Sequence, residues 1–491
     1  MSRLRNYAGL LIVVAAYLLI ILQLPLGTAF QLGNDEGFEV IKPFLCSKGY
    51  NLYTEIWNDQ PPVFTVILTA AFRICGDSIM TARLVSVALG LMLIATFYEL
   101  VRRRSGTWAA VFGTFFLVAS PSVLLLSVSV MLEGPAVGTA LLAALLTFQW
   151  RKSRHRLWLL ASGAAMALAL QIKLTAALVA PALLSELLLL SAADVGKSRI
   201  RTALVHTLVW GASLIAVFVL IGLTFGKGSL KTSWESHTGA AFDSEFGRPE
   251  DHKFDPRLLR SHIECVVAAV VATIVATSRK RLSEISFPLV LLLTVSAVHA
   301  VHRPWWNYYY LHLAVPLAWL TGWIVNEMLQ RILTSYPKGW LRLASARTWR
   351  MLALCILVAA PIARSERRLE DTIRNLRQRE TVSANPIVEK MRQYAGRAKW
   401  VYSDSGIYPF HARLLVPPEL AIVMPKRFWS GQITTQQIVE TCKRYQTEML
   451  VLPVYTARPE WKVLLDAEYS LVTTDNKYLL YVAKRIKEQP P

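Results

Sequence analysis

The stretch GNDEGFEVIKPFLCSKGYNLYTEIWNDQPPV, residues 33–63, decides the fold. It follows directly on residues 7–27, an apolar segment long enough to cross a bilayer. It opens with adjacent carboxylates, Asp35 and Glu36, continues through Gly49-Tyr50 and Trp57, and closes on Asp59-Gln60-Pro61-Pro62. Acids, aromatics and a double proline at the edge of a membrane helix point to a polar site built on the membrane surface.

The rest of the chain fits that frame. Of its 491 residues, 54% are hydrophobic and 18% charged, less charge than the roughly 25% of a soluble domain. A span needs about 20 apolar residues to cross about 30 Å of hydrocarbon. Eleven segments qualify in outline: 7–27, 79–101, 106–121, 135–150, 156–170, 172–192, 203–225, 260–277, 284–300, 307–328 and 350–363. The fifth and sixth form one apolar run broken at Gln171-Ile172-Lys173, which reads as a tight hairpin, with a single buried helix as the alternative.

The net charge of +20 does not imply nucleic acid, because of where it sits. Basic clusters at Arg3/Arg5, Arg102–Arg104, Arg151–Arg156, Lys197–Arg201, Arg279–Arg281 and Arg331–Arg350 fall in every second connection. That is the positive-inside pattern. It puts the N-terminus in the cytoplasm, and the quoted stretch and the C-terminus outside. The first segment reads as a retained anchor, since no small-residue cleavage site follows it. The five cysteines have no metal or redox spacing; buried thiols are the default, and a Cys46–Cys75 disulfide stays open.

The first outer connection, about 28–78, holds two apolar pieces too short to span, GFEVIKPFL and PPVFTVILTAAFRICG. Both read as helices lying at the interface. Pro61-Pro62 suits the start of the second and Gly76 its end. After Ala363 the composition changes. Residues 365–380 are charged and predicted helical. AKWVYSD, LAIVM, EMLVLP, YSLVTT and KYLLYVAK read as strands, with ITTQQIVETCKRY and RPEWKVLLD as helices between them. The expected architecture is mainly α: a polytopic membrane domain over 1–363 with about 11 spans, plus a small α/β domain over 364–491.

Several residues converge on the outer face by topology. Asp35, Glu36 and Glu133 can share the roles of base and orienter in one aqueous cleft; solvated interface acids, or a helix cap for Glu133, are the plainer readings. Lys173, His302 and Arg303 suit a phosphate, against snorkelling for Lys173 and a headgroup contact for Arg303. Trp305, Trp306, Tyr308, Tyr309 and Tyr310 look first like an aromatic belt, though some would line a cleft. Tyr50, Trp57, Gln60 and Tyr308 complete the candidate substrate-binding set.

The order DEG, then GYNLYTEIWNDQPPVFTVILTAAFRICGDSIMTARLVSVALG, resembles the GT-C superfamily of polytopic glycosyltransferases. Within it, the segment is similar to bacterial relatives of protein O-mannosyltransferases and of the lipid A aminoarabinose transferase. The similarity is densest over residues 30–95 and extends weakly to about 330. The resemblance implies a sugar donor carried on a polyprenyl phosphate and reaction at the non-cytoplasmic face of the inner membrane. It implies Asp35 as the catalytic position and Glu133 as the second-loop acid. Where the aminoarabinose transferase has a phosphate-binding lysine before the proline, this chain has Gln60; Lys173, Arg303 or Lys227 are candidate replacements. Some members use a divalent metal and others none. Asp35, Glu36, Glu133 and His302 are possible ligands, but no spacing compels a site.

The function expected is transfer of a lipid-linked sugar, with inversion and an Asp35 base, to a glycan, lipid or protein acceptor. A transporter or flippase of polyprenyl-linked sugars is the alternative, weakened by the absence of a visible repeat. A protein that recruits partners through its outer α/β domain is a third.

Overall fold

A computed structural model describes residues 2–188, 199–226, 248–334, 346–454 and 459–487. Helices α1 (Ser2–Ile21), α2 (Glu36–Ser47), α3 (Val63–Cys75) and α4 (Ile79–Ser105) come first. α5 (Thr107–Val118), α6 (Pro121–Val128), α7 (Glu133–Ser153), α8 (Arg156–Ile172), α9 (Ala180–Leu188) and α10 (Arg199–Thr224) follow. Helices Ile263–Ser278, Leu282–Val301, Tyr310–Thr334 and Ala346–Arg377 complete the bundle. The last runs without a break past Ala363 and carries Pro361 inside it.

Within the described residues the expected spans fall largely on helices, but they are not equivalent. Among the described residues, Ile79–Ser105, Arg201–Thr224 and Leu282–Val301 are each long and apolar enough to cross a membrane. The pair α5–α6 adds a fourth if counted together; it bends by 76°. Pro121 causes the break, because it has no N–H to continue the α5 ladder and suits a first helical turn. Leu11, Ile12, Leu208, Ile215 and Leu220 are all more than 60% exposed. Aliphatic surface on that scale suits lipid contact rather than water.

The bundle has two chemically different ends. At one, Glu99 holds Arg102 and Arg103 at 2.7 Å each. Glu186 holds Arg104 at 3.0 Å and Arg151 at 2.5 Å, and Glu327 holds Arg279 at 3.0 Å and Arg281 at 2.7 Å. At the other end, Lys173 pairs with Glu133. α7 runs between these ends, from Glu133 to Arg151, so Lys173 and Glu186 lie at opposite ends of it. The run from Arg156 to Leu188 therefore reverses around the 3-10 turn Leu174–Val179, as the hairpin reading expected. Lys197 and Lys227 lie outside the described residues.

The two short apolar pieces of the first outer connection form helices α2 and α3. Pro62 is the N-cap of α3 and Gly76, with φ 88°, ends it, a conformation that costs glycine little.

Beyond the long helix, strands β1 (Val401–Ser403), β2 (Met449–Pro453), β3 (Tyr469–Thr474) and β4 (Tyr478–Ala483) form one sheet in the order β1-β2-β4-β3. β1 and β2 are parallel, with Val401 opposite Met449. β4 is antiparallel to both its neighbours, with Leu450 opposite Tyr481 and Tyr469 opposite Ala483. All five β2 residues are buried, which is why EMLVLP reads as a continuous apolar run. The two predicted helices form, as Thr435–Tyr445 and Pro459–Glu468. The expected strand at LAIVM does not. Pro417-Pro418 and Pro425 bracket it, so the segment leaves the ladder as a 3-10 turn and loop. Its Leu420, Ala421 and Ile422 are still buried.

This sheet region docks on the first outer connection. Phe30 N–H donates to the Glu380 carbonyl at 2.7 Å, and Val382 N–H to the Thr28 carbonyl at 2.9 Å. The His411 ring meets the Phe30 carbonyl at 2.8 Å. Phe410 packs between Phe44, at 5.7 Å, and Phe72, at 5.8 Å.

Candidate active site

The DEG tripeptide sends its three residues to three different tasks. Glu36 is fully buried and turned away from the cavity. It takes Arg83 through both carboxylate oxygens, at 2.8 and 3.0 Å, and accepts the Leu32 and Val130 N–H groups at 2.7 and 3.1 Å. Arg83, from the ARLVS segment of α4, also donates to the Leu26 and Ala29 carbonyls. Glu36, expected beside Asp35 in the catalytic group, is thus a brace between the first outer connection, α4 and the segment before α7, and it does not line the cavity that Asp35 faces. Gly37 faces the C-terminal region. Asp35 alone turns to the cavity.

That cavity, of about 690 Å³, is lined by Asp35, Glu39, Asp59, Gln60, Lys173 and Tyr308 among others. Asp35 is half-buried. Desolvation pushes its pKa up from 3.8 to about 6; the Glu133 carboxylate adds to this, while Lys173 and a hydrogen bond from Tyr308 oppose it. Glu133 is buried and held by Lys173. The Lys173 ammonium also sits over the Tyr308 and Tyr309 rings, at 4.9 and 5.4 Å. Asp35, Glu133, Lys173 and Tyr308, predicted from four separate connections, thus form one cluster.

His302 and Arg303 also line the cavity. His302 is exposed, and Arg303 donates to its neighbours' carbonyls, those of His302 at 2.7 Å and Ala300 at 3.3 Å. Gln60 lines it too and donates to Asp59 at 2.7 Å.

Two predicted substrate contacts lie elsewhere. Tyr50 packs on Trp400 at 6.4 Å. The Trp57 indole donates to Gln432 at 2.7 Å and stacks under Arg427. Both rings cement the C-terminal region onto the first outer connection, because that region, not open water, covers them.

Glu39, Asp59 and Lys426 also line the cavity, and no local sequence pattern marks them for it. Glu39 is one α-helical turn from Asp35 and pairs with the buried Lys42 at 2.9 Å. Asp59 receives Lys426, of the C-terminal region, at 2.9 Å. Burial lowers the Lys426 pKa and the Asp59 charge raises it in part. The quoted stretch contained Asp59 and Glu39, but nothing in it marked their direction.

A second cavity, of about 500 Å³, is lined by Asn34, Asp251, His252, Lys253 and Asn307. It shares Trp306 and Tyr308 with the first. Asn34 and Asp35 are therefore adjacent residues facing different cavities.

The residues do not suit a divalent metal. Among the described residues no three His, Cys, Asp or Glu side chains converge on one point. Glu133, the carboxylate nearest in role to a ligand, already has the Lys173 ammonium for its counter-charge.

The family described as dolichyl-phosphate-mannose-protein mannosyltransferase matches residues 59–222. The crystal structure of ArnT from Cupriavidus metallidurans bound to undecaprenyl phosphate aligns with a TM-score of 0.65 at 15% identity, over 97% of this chain and 98% of that one. The same protein in the apo state gives 0.63 at 14% identity, over 96% and 97%. The archaeal oligosaccharyltransferase AglB from Archaeoglobus fulgidus, in complex with an inhibitory peptide and a dolichol-phosphate, gives 0.57 at 12% identity, over 93% of this chain and 70% of that one. Comparison with curated proteins finds no match. At such identities the structural likeness speaks for the fold. This membrane-embedded chain has the fold of the GT-C glycosyltransferases, the superfamily that its DEG-to-ARLVS segment resembles.

Proposed function

We propose that the chain transfers a sugar from a polyprenyl-phosphate carrier to a hydroxyl group on a glycan, lipid or protein, with Asp35 as general base. The observation that carries this is the Asp35 carboxylate, desolvated in the larger cavity and hydrogen-bonded by Tyr308, whose side chain lines both cavities. A transferase of this kind needs room for two substrates and one proton acceptor between them. The larger cavity suits the donor, the smaller and more polar one the acceptor.

The chemistry needs one strong base. The acceptor oxygen forms a bond to the anomeric carbon as the bond from that carbon to the phosphate oxygen breaks. The electron pair of the broken bond leaves on the phosphate, already a stabilised anion that needs no protonation. The hydroxyl proton passes to Asp35. Attack opposite the departing phosphate inverts the configuration. A base of this kind contributes about 10²–10⁴-fold; holding both partners in line supplies much of the rest. Lys173 keeps Asp35 and Glu133 tolerable as neighbours.

The arginine-rich end of the bundle, under the positive-inside rule, faces the cytoplasm. The cavities and the sheet region then face the periplasm or exterior, with the chain in the inner membrane.

The test is incubation of the full-length protein in lipid nanodiscs with polyprenyl-phosphate sugars and envelope extracts. A labelled sugar recovered on an acceptor supports the transferase. Movement of the intact lipid-linked sugar across sealed vesicles, with no transfer, supports the transporter reading instead.

A further inference from the structure

The C-terminal region is part of the cavity wall. Met424, Pro425, Lys426, Trp429 and Ser430 all line it. Trp429 lies 5.7 Å from His252, which in turn packs on Trp306 at 4.6 Å. Lys426 meets Asp59, a carboxylate that lines the same cavity.

The cavity's cations are not equally placed to meet an anion. Lys173 is committed to Glu133, to two tyrosine rings and to the field of Asp35. Arg303 turns two of its five N–H donors back onto backbone carbonyls beside it. Lys426 has a carboxylate partner that can release it. Asp59 also accepts from Gln60 at 2.7 Å, so it keeps a hydrogen bond when Lys426 moves to another anion. The Lys426 side chain is 22% exposed, against 3% for Asp59, so the ammonium is the more accessible member of the pair.

We propose that Lys426 binds the phosphate of the lipid-linked donor, exchanging Asp59 for a phosphate oxygen, so that the donor site is completed by the C-terminal domain. The inference rests on the transferase reading above and deepens it. A phosphate here brings its own charge to a lysine that would otherwise need Asp59, and charge-assisted hydrogen bonds to phosphate are among the stronger ones. The C-terminal domain is then required for donor binding, beyond any part in stability.

The experiment measures binding of a polyprenyl monophosphate to the full-length protein in nanodiscs, beside the matching polyprenol and inorganic phosphate. Wild type binds the lipid phosphate more tightly than the alcohol, and inorganic phosphate at equal concentration does not compete. Lys426→Met weakens lipid-phosphate binding about tenfold to a hundredfold and leaves polyprenol binding within about twofold. Lys426→Arg recovers most of the loss. Asp59→Asn removes the competing anion and tightens lipid-phosphate binding, a gain that misfolding does not produce. Discrimination that survives Lys426→Met, equal loss for phosphate and alcohol, or weaker binding in Asp59→Asn overturns the inference alone. Full competition by inorganic phosphate overturns the lipid as the source of the bound phosphate. A wild-type chain that does not distinguish lipid phosphate from alcohol overturns the transferase reading and the inference with it.

Discussion

Gly37 and Gly406 meet backbone to backbone across the join between α2 and the C-terminal region. A Cβ on Gly406 would lie 2.7 Å from the Gly37 carbonyl oxygen, and one on Gly37 would lie 2.8 Å from the Ile407 nitrogen. Both near atoms are main chain and have no rotamer through which to retreat. Gly37→Ala and Gly406→Ala are each expected to cost about 1–3 kcal/mol by overpacking. The measurement is the thermal midpoint in detergent, with limited proteolysis in the 378–400 segment. Faster cleavage there, at an unchanged rate elsewhere, marks loosening of the join; unchanged midpoints would show that the two backbones have room to separate.

Glu36 and Asp35 are neighbours with separable roles. Arg83→Met leaves the Glu36 carboxylate buried without its cation and is expected to cost about 3–5 kcal/mol of stability. Glu36→Gln lowers the yield of folded protein but leaves the turnover of the folded fraction near wild type. Asp35→Asn does the reverse. Size-exclusion yield beside turnover per folded molecule separates the two. A Glu36→Gln protein that is well folded yet inactive would return Glu36 to the catalytic group.

The burial of Asp35 sets a pH dependence. Its pKa is raised to about 6, and the base must be ionised to act. Activity is therefore present above pH 6 and lost as the pH falls through that value. The expected kcat/KM profile drops about tenfold per pH unit below about pH 6, since kcat/KM reports the free enzyme's essential groups. An acidic limb near 4 would mean an Asp35 fully in contact with water.

The charges beside Asp35 move that limb in opposite directions. Glu133 raises the Asp35 pKa and Lys173 lowers it. Glu133→Gln should shift the limb to lower pH, and Lys173→Met to higher pH, each by about one unit. Each variant leaves a former partner in the buried pair without its counter-charge, so the profile is read on the folded fraction isolated by size exclusion. The pH profile is a sharper readout than activity alone, because a purely structural role for either residue would not move the limb.

Much of this site was legible in residues 33–63, and the physical reason is locality. Asp35 sits at the start of a short interfacial helix, Pro62 and Gly76 bound the next one, and the arginine clusters fix which connections share a face. The break at Lys173 was visible as a lysine in an apolar run. What was not legible is direction and long-range pairing. Asp35 and Glu36 are alike in sequence; only Arg83, on another helix, decides which turns inward. Tyr50 and Trp57 look like cleft aromatics until the C-terminal region is seen to cover them. Lys426 meets Asp59 across a separation of 367 residues, and no local pattern announces it. LAIVM has strand composition, but the prolines on either side withhold it from the sheet.

The most direct test is sugar transfer by Asp35→Asn in nanodiscs, with donor binding measured on the same sample. The expected result is a fall in kcat of about a hundredfold or more, with lipid-phosphate binding retained. Turnover equal to wild type, with binding intact, would contradict a base at residue 35.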